Sequence, residues 1–433
     1  MAASPKSVAI RSYNVGFGDC FLLSFDYGEG TEKHVLIDFG STRLPPDAPK
    51  TRMMDIAEDI KTRTGGKLAA VVATHRHKDH LSGFATKNGK GTGDIIRDLK
   101  PKLVIQPWTE DPDLPTDATA PKGLRAKQKI ARLGETTPRH LSALKAMHRT
   151  AEHTLALATH ARHFPSKLRR QLSFLGENNI QNASAVKNLM SMARNAYVHA
   201  ESKSGLERLL PGVKVHVLGP PTVKQHDGVK KQRARHPDEF WHLQARAMAL
   251  GDAGRRAPAL FPRYIRGRGT SFPVETRWLI QRAGRLQGEQ LLSIVRILDK
   301  AMNNTSVILL FDVNGKKLLF PGDAQIENWE FALSQKKYAK LLSSVNLYKV
   351  GHHGSLNATP KTLWNRFKNR SAQNSNRRLR SLMSTMKDVH GHEDDNTEVP
   401  RRSLVTALKG ESEHFSTQQL LGPAFFKDTV IRL

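Results

Sequence analysis

Residues 71–80 read VVATHRHKDH and are the most informative stretch of the sequence. The apolar residues that open this stretch predict a buried strand. Three histidines and one carboxylate follow within six residues, namely His75, His77, Asp79 and His80. Imidazole and carboxylate groups are ligands that suit Zn²⁺, Mn²⁺ or Fe. The alternative interpretation is a basic surface loop that contains histidines by chance.

The spacing of these four side chains predicts two metal positions. In an extended segment His75 and His77 project to the same side, because side chains alternate with a period of two. Asp79 and His80 are adjacent and can reach a second ion. Two ions about 3.5–4 Å apart clamp both the attacking and the leaving oxygen in hydrolysis. The stretch therefore predicts a binuclear hydrolytic site.

Basic residues dominate the charge of the 433-residue chain. Lys and Arg together number 68 against 40 Asp and Glu, so the formal net charge is +28. Such an excess indicates a polyanionic partner: nucleic acid, an anionic membrane or a phosphorylated substrate. The length is sufficient for two domains, or for one domain with insertions.

The N-terminus and the cysteine content favour a cytoplasmic protein. The opening residues MAASPK lack the apolar region of a signal peptide. No uncharged apolar run approaches the roughly 18 residues that a membrane span requires. Cys20 is the only cysteine, which excludes an internal disulfide and fits a reducing compartment. We therefore expect a cytoplasmic chain that does not cross a membrane.

Further polar residues follow apolar segments, at points where strands are predicted to end. Asp38 follows one such segment and could hold a ligand histidine from behind. Asp323 follows another, preceded by glycine, and suits a carboxylate that bridges two metals. His352 and His353 follow a third segment and offer the remaining ligand. The alternatives are a turn aspartate at position 38 and a helix N-cap at position 323.

The hydrophobic pattern predicts an alternation of strands and helices, which is typical of an α/β protein. Predicted strands cover residues 7–15, 19–26, 35–37, 71–73, 103–105, 213–218, 304–311, 317–320, 347–350, 382–384 and 430–433. Gly315 is expected to form a hairpin turn. Predicted helices cover 52–62, 139–163, 183–198 and 325–334, and a last helix begins near 399–400.

Two long segments interrupt this alternation and divide the chain into five parts. We interpret 1–110 as the first part of the core, 111–210 as a helical insertion, 211–221 as a core strand, 222–302 as a basic insertion and 303–433 as the second part of the core. The basic insertion interleaves aromatic residues with arginines, which favours nucleic-acid contact over a merely solvated face. Its densest part contains Arg255, Arg256, Arg263, Arg266 and Arg268.

The order of these motifs resembles the metallo-β-lactamase superfamily, in particular the metallo-β-lactamase domain of ComEC-type DNA-uptake proteins and related stand-alone hydrolases. The matching segments are 15–19 (VGFGD), 36–40 (LIDFG), 74–80 (THRHKDH), 217–221 (VLGPP), 304–307 (NTSV), 320–324 (FPGDA), 349–355 (KVGHHGS) and the closing 390–392 (HGH) with 399–400. The likeness covers about 1–110, 213–221 and 304–433. It implies an αββα sandwich with a binuclear metal site along one edge.

The resemblance also assigns ligands. It makes Asp79, His80, Asp323 and one of His352 and His353 the ligands of one metal, Zn or Mn, with His353 preferred. It makes His75, His77 and Asp323 the ligands of the other, and it places Asp19 and Asp38 behind the ligands. Asp79, His352 and His392 are the residues expected to act in catalysis, with His352 as proton donor or phosphate contact. The chain departs from the family pattern at Phe17 and at Gly219, where glutamine and histidine are often found. His392 could fill the resulting gap in the ligand set, or contact a phosphate.

Three functions are compatible with these patterns. The first is a metal-dependent nuclease or phosphodiesterase acting on DNA or RNA, in which a histidine donates the proton that the leaving alkoxide needs. The second is an enzyme that cleaves a small phosphodiester, lactone or ester. The third is a basic nucleic-acid-binding subunit whose metal site is structural. The sequence leaves open a protein partner and the oligomeric state.

Overall fold

The computed structural model describes residues 4–114, 120–121, 168, 172, 182–222, 224–226, 303–355, 359–391 and 398–433. Its strands are β1 Ser7–Tyr13, β2 Cys20–Asp26, β3 Glu32–Phe39, β4 Ala70–Val72, β5 Leu103–Pro107, β6 Arg194–Val198, β7 Val213–Gly219, β8 Ile308–Val313, β9 Lys316–Phe320, β10 Val345–Lys349, β11 Arg380–Met383, β12 Glu413–Ser416 and β13 Phe426–Arg432. Its α-helices are α1 Arg52–Arg63, α2 Lys78–Leu81, α3 Thr92–Asp98, α4 Ala183–Met192, α5 Ile326–Ser334, α6 Lys336–Ser343, α7 Lys361–Trp364 and α8 Arg402–Glu411.

The first sheet has the strand order β13-β1-β2-β3-β4-β5-β6. Its first four strands pair antiparallel, whereas β3, β4, β5 and β6 pair parallel. Parallel neighbours require a crossover connection, and α1 and α3 lie in the connections that enter β4 and β5. The carboxyl ends of β3 and β4 therefore meet at the same edge of this sheet.

The second sheet has the order β12-β11-β10-β9-β8-β7 and is also mixed. Strands β8 and β9 form a hairpin in which Val313 pairs with Lys316, so the loop consists of Asn314 and Gly315. Both loop residues have positive φ, and Asn-Gly is the dipeptide that such a two-residue turn favours. Strands β9, β10, β11 and β12 run parallel. The carboxyl ends of β9 and β10 therefore also share one edge.

Three apolar clusters arrange these elements in layers. One cluster lies between the sheets, where Phe21 of the first sheet contacts Phe320 of the second with ring centroids 6.1 Å apart. A second cluster packs α1, α3 and α4 on the outer face of the first sheet. A third packs α5, α6 and α8 on the outer face of the second sheet. The continuous apolar runs in the sequence arise because the central strands are buried on both faces.

The α/β class predicted from the sequence is confirmed by two mixed sheets with helices. The helix predicted over 183–198 is wrong in its second half, because residues 194–198 form β6. This strand pairs in parallel with all five residues of β5, and tertiary pairing overrides a weak local helical pattern. The end of the 111–210 block thus contributes to the first sheet.

Other boundaries also differ from the prediction. The strand predicted over 304–311 starts only at Ile308, and the hydrophobic pattern does not predict β12. The helix predicted over 139–163 and nearly all of the basic insertion lie outside the described residues. Among the residues that are described, no helix has the length and apolar character that crossing a bilayer requires.

Candidate metal centre

The predicted ligands come together where strands of both sheets end. Strand β4 leads into the segment that carries His75 and His77 and then into the short helix α2, which carries Asp79 and His80. From the second sheet, Asp323 follows β9 and His353 follows β10. Open α/β sheets bind ligands at the carboxyl ends of their parallel strands. The placement of these residues fits that rule.

Four of these side chains form one compact group, which we call the outer cluster: Asp79, His80, Asp323 and His353. Each residue offers a ligand atom, all of these atoms lie within 4.8 Å of one another, and all four residues are buried. His80 Nε2 is 3.1 Å from Asp323 Oδ2, and His353 Nε2 is 3.0 Å from Asp79 Oδ2. His353 Nε2 is also 3.6 Å from Asp323 Oδ2. These buried groups could hold a metal ion.

The hydrogen bonds of the outer cluster test whether its residues suit a cation. Asp79 Oδ1, His80 Nε2 and Asp323 Oδ2 are buried and have no hydrogen-bond partner. Buried polar atoms are rarely left unsatisfied, because each costs about 1–3 kcal/mol. Two ligands of a tetrahedral Zn²⁺ at about 2.0–2.1 Å from the ion lie about 3.3 Å apart. The distances between ligand atoms in the outer cluster, 3.0, 3.1 and 3.6 Å, lie on both sides of that value. The set of ligand atoms therefore fits a divalent ion.

Asp38 fixes the orientation of His80. Its Oδ2 accepts hydrogen bonds from His80 Nδ1 at 2.8 Å and from the Thr74 hydroxyl at 2.7 Å, and its Oδ1 accepts from the Thr74 backbone N–H at 2.7 Å. A carboxylate only accepts, so Nδ1 of His80 carries a proton, and Nε2 is the nitrogen that faces the outer cluster and can take either a proton or a metal ion. Asp38 thus lies where a residue behind a metal-bound histidine is expected.

The structure separates the two histidines that the sequence could not distinguish. His353 is fully buried, and its Nδ1 donates to the Ser384 carbonyl at 3.0 Å, which leaves Nε2 facing the outer cluster. The side chain of His352 is 22 % exposed, and its Nδ1 lies 2.8 Å from Ser355 Oγ. Its backbone N–H donates to Asp323 Oδ1 at 3.1 Å. His353 therefore belongs to the buried group that could hold a metal ion, and His352 lies at its rim.

His75 and His77 form a second pair beside the outer cluster. His75 Nε2 lies 3.0 Å from His77 Nδ1 and 3.9 Å from Asp323 Oδ2. The hydroxyl proton of Thr74 is used toward Asp38, so Thr74 Oγ1 accepts from His75 Nδ1 at 3.1 Å. His75 Nε2 then has a lone pair directed at His77. The groups of described side chains that lie close enough together to hold an ion do not include His75 and His77, so the second ion stays a prediction.

Electrostatics make the outer cluster attractive to cations. Burial acts to lower the pKa of His80 and His353, but their carboxylate neighbours, Asp323 foremost, outweigh it and raise both pKa values. Burial acts to raise the pKa of Asp79 and Asp323, but the charges of His80 and His353 outweigh it and lower both pKa values. The carboxylates are thus ionised, and the group favours a bound cation, whether a proton or a metal ion.

The backbone around the centre is tightly packed and locally strained. Asp38, His352 and His353 have φ values of 55°, 42° and 52°, in the left-handed region that L-residues rarely adopt. Each such residue costs on the order of 1–3 kcal/mol, and such strain concentrates at functional sites. A Cβ added to Gly40 would lie 2.5 Å from the backbone of Asp79 and His80. Glycine at this position therefore lets β3 approach the histidine segment.

The remaining predicted residues either lie behind the outer cluster or fall outside the described residues. Asp19 is buried beside the centre, where it pairs with Lys349, a residue to which the sequence patterns assigned no role. The signal for Lys349 was a lysine within the otherwise apolar end of β10. His392 and the five arginines of the basic insertion lie outside the described residues. Their predicted roles stay predictions.

Comparison of the chain with known proteins found no family model that matches it and no curated protein that matches it.

Proposed function

We propose that the chain is a metal-dependent hydrolase of the metallo-β-lactamase type, and that it acts as a nuclease or phosphodiesterase on DNA or RNA. One observation carries the proposal: two carboxylates and two histidines from different sheets converge in a buried group whose unsatisfied atoms face one another. Structural zinc sites are usually saturated by four ligands. Here His75 and His77 add further donors next to Asp323, which supports a binuclear and catalytic centre.

The residues of the chain have distinct parts in the proposed reaction. Asp79, His80, Asp323 and His353 would hold one ion, and His75 and His77 with Asp323 would hold the other. Bound divalent ions supply hydroxide at neutral pH and offset negative charge on a phosphoryl oxygen. The buried oxygen Oδ2 of Asp323 lies 3.1 Å from His80 Nε2 and 3.9 Å from His75 Nε2, so it is close to one histidine of each proposed ion position. It would therefore contribute to holding both ions of the proposal.

His352 is the proton donor in this proposal. Among the histidines that the structure describes at the centre, it alone stands at the rim, with 22 % of its side chain exposed. Ser355 Oγ contacts its Nδ1 at 2.8 Å and Asn303 Nδ2 approaches its Nε2 at 3.4 Å. These two contacts orient the imidazole without removing it from solvent. A protonated histidine can give a proton to a leaving alkoxide.

The substrate class rests on charge. A formal net charge of +28 favours a polyanion, and the arginines of the basic insertion would supply phosphate contacts. A protein in which affinity comes from distributed basic residues loses affinity steeply with salt, whereas turnover of a small phosphodiester does not depend on those contacts. A cytoplasmic location is part of the same proposal.

Metal analysis combined with cleavage assays tests the proposal. The purified protein should contain or take up two equivalents of Mn²⁺ or Zn²⁺ and should cleave a chromogenic phosphodiester and at least one of single- and double-stranded DNA and RNA. Asp79→Asn should reduce cleavage by more than about a hundredfold, beyond the 10–100-fold that loss of a residue behind the ligands costs. Binding of the nucleic acid should persist.

Asp98→Asn is the matched control, because it removes a carboxylate whose side chain is 76 % exposed. It should cleave as the wild type does. A wild-type protein that binds metal and nucleic acid but cleaves none of these substrates would instead identify a binding protein with a structural metal site. Cleavage of the small phosphodiester alone, with no affinity for nucleic acid, would identify a small-molecule hydrolase.

A further inference from the structure

Lys349 is a buried lysine at the base of the candidate metal centre. Only 2 % of its surface is exposed, and it is the last residue of β10, three residues before His352. Its ammonium forms an ion pair with Asp19, donates to the Gly322 carbonyl at 3.4 Å and lies 3.8 Å from Asp323 Oδ1. Lysines are almost never fully buried unless they are paired. The placement of this one requires a reason.

Asp19 links Lys349 to both histidines of the outer cluster. Asp19 Oδ2, the oxygen that pairs with Lys349, is 3.8 Å from His80 Nδ1. Asp19 Oδ1 is 3.6 Å from His353 Nδ1. Both imidazoles direct their other nitrogen, Nε2, at the outer cluster. The Lys349–Asp19 pair therefore lies directly behind two ligands on the side away from the metal.

A second group of ligand atoms includes Asp19, the ion-pair partner of Lys349. Asp19, Asp38 and His80 are buried, and their ligand atoms lie within 4.8 Å of one another, which is close enough to hold a metal ion. We call this group the inner cluster. His80 belongs to both clusters, through Nδ1 in the inner one and Nε2 in the outer one. An ion in the inner cluster would compete with the hydrogen bond from His80 Nδ1 to Asp38 that prepares Nε2 for the outer cluster.

We propose that Lys349 is a tethered cation that occupies the inner cluster and thereby confines divalent metal to the outer cluster. The inference rests on metal binding by the outer cluster, as in the proposed function, but not on hydrolysis. The ammonium supplies the positive charge that two buried carboxylates need, since an uncompensated buried charge is strongly unfavourable. Unlike a free ion, it makes no bond to imidazole, so His80 keeps its proton on Nδ1. Lys349 is thus a positioning residue and not a ligand.

The charge at position 349 should then decide how many ions the protein binds. In Lys349→Met, Asp19 loses its cation, and its oxygens together with those of Asp38 become available to a divalent ion. We expect this variant to bind one more equivalent of Mn²⁺ than the wild type. Its outer cluster should bind Mn²⁺ about 10–100-fold more weakly, which is the usual cost of disturbing a residue behind a metal-bound histidine.

The double variant Asp19→Asn with Lys349→Met is the matched control. It removes both charges of the pair, so no uncompensated carboxylate is left at Asp19 and the fold should tolerate it better than the single change. It should bind the same number of Mn²⁺ ions as the wild type. Stoichiometry is measured by equilibrium dialysis of protein stripped with chelator and titrated with Mn²⁺, with the free ion followed by electron paramagnetic resonance.

Two results would overturn the inference. One is a Lys349→Met protein that binds as many Mn²⁺ ions as the wild type with the same affinity; the other is an extra ion that also appears in the double variant. If Lys349→Met folds poorly without metal, Mn²⁺ should raise its melting temperature by more than that of the double variant, and equal shifts count against the inference. A separate result tests the proposed function: a wild-type protein that binds Mn²⁺ but cleaves no substrate would contradict hydrolysis and leave the inference about Lys349 intact.

Discussion

Replacing Asp38 with asparagine tests how the centre prepares His80 for metal binding. The substitution keeps the size and shape of the side chain but exchanges one acceptor oxygen for an NH₂ donor. In the native protein both oxygens face donors: Oδ2 faces His80 Nδ1 and the Thr74 hydroxyl, and Oδ1 faces the Thr74 backbone N–H. An asparagine cannot satisfy all three of these donors in either orientation of its amide.

The two orientations fail in different ways. If the amide oxygen takes the Oδ1 position, the NH₂ group faces His80 Nδ1, which must then lose its proton and place one on Nε2. That tautomer has no lone pair directed at the outer cluster. If the oxygen takes the Oδ2 position, the NH₂ group faces the backbone N–H of Thr74, and a buried donor is left unsatisfied at a cost of about 1–3 kcal/mol.

Both outcomes weaken metal binding. Loss of the residue behind a metal-bound histidine typically costs 10–100-fold in affinity, which corresponds to about 1.4–2.8 kcal/mol. We expect Asp38→Asn to lower Mn²⁺ or Zn²⁺ affinity within that range, measured by competition with a chelator of known affinity. Selective ¹⁵N labelling of histidine should in addition show a changed protonation pattern at one ring of the metal-free protein.

Asp59→Asn serves as the control for Asp38→Asn. Asp59 is also a carboxylate with several hydrogen bonds, but it accepts them from Arg11 and Tyr13 and not from a residue of the centre. Metal affinity should be unchanged in this variant. If Asp38→Asn binds metal as tightly as the wild type, His80 is not held by Asp38 for coordination through Nε2, and the reasoning about the whole centre fails.

Three further predictions concern packing, pH and charge. Gly40→Ala should abolish metal binding, because its Cβ would lie 2.5 Å from the Asp79 and His80 backbone. Gly410→Ala in α8 is the control, because a Cβ there meets nothing within 4 Å. It should raise the free energy of unfolding, measured in urea, by about 0.5–1 kcal/mol. Burial lowers the pKa of His34 to about 4 from 6.5, so the unfolded chain binds the extra proton between these values; native stability should therefore fall as the pH drops from 6.5 to 4, by up to about 3 kcal/mol. His34→Gln should flatten this dependence in metal-free protein, and parallel curves for the two proteins would contradict the assignment. The five arginines of the densest part of the basic insertion are Arg255, Arg256, Arg263, Arg266 and Arg268. Changing all five to alanine should reduce the slope of log affinity against log salt by about 0.7–0.9 for each lost phosphate contact, without altering turnover of a small phosphodiester. An unchanged slope would instead indicate that residues 111–210 contact the nucleic acid.

Much of the centre was predictable because its residues lie next to strand ends. A buried strand is recognised from its apolar run, and a polar residue that follows it must lie at the edge of the sheet. This reasoning locates the histidine segment, Asp38 and Asp323 from the sequence alone. The same reasoning failed for β6, because an edge strand with a mixed pattern is stabilised by its pairing with β5 and not by its own sequence.

The family resemblance preferred His353 to His352 as the ligand, but the local sequence pattern does not determine which of the two rings is buried. The two histidines are adjacent and identical in chemistry, and both follow shortly after the end of β10. Their burial differs because both have positive φ, at 42° and 52°, so the chain turns sharply and directs one ring inward and the other to the rim. Backbone conformations of this kind persist only when the surrounding structure holds them.

The sequence by itself determined the α/β class, the approximate positions of most strands and most of the groups that could bind a metal, because these follow from local hydrophobic pattern and side-chain chemistry. Tertiary structure alone decided which nitrogen of each histidine faces the cluster, since that depends on partners such as Asp38 and Ser384 that are remote in the chain. It also decided that Lys349 pairs with Asp19, 330 positions away, because burial of a charge is settled by the packing of two sheets and not by its neighbours in sequence.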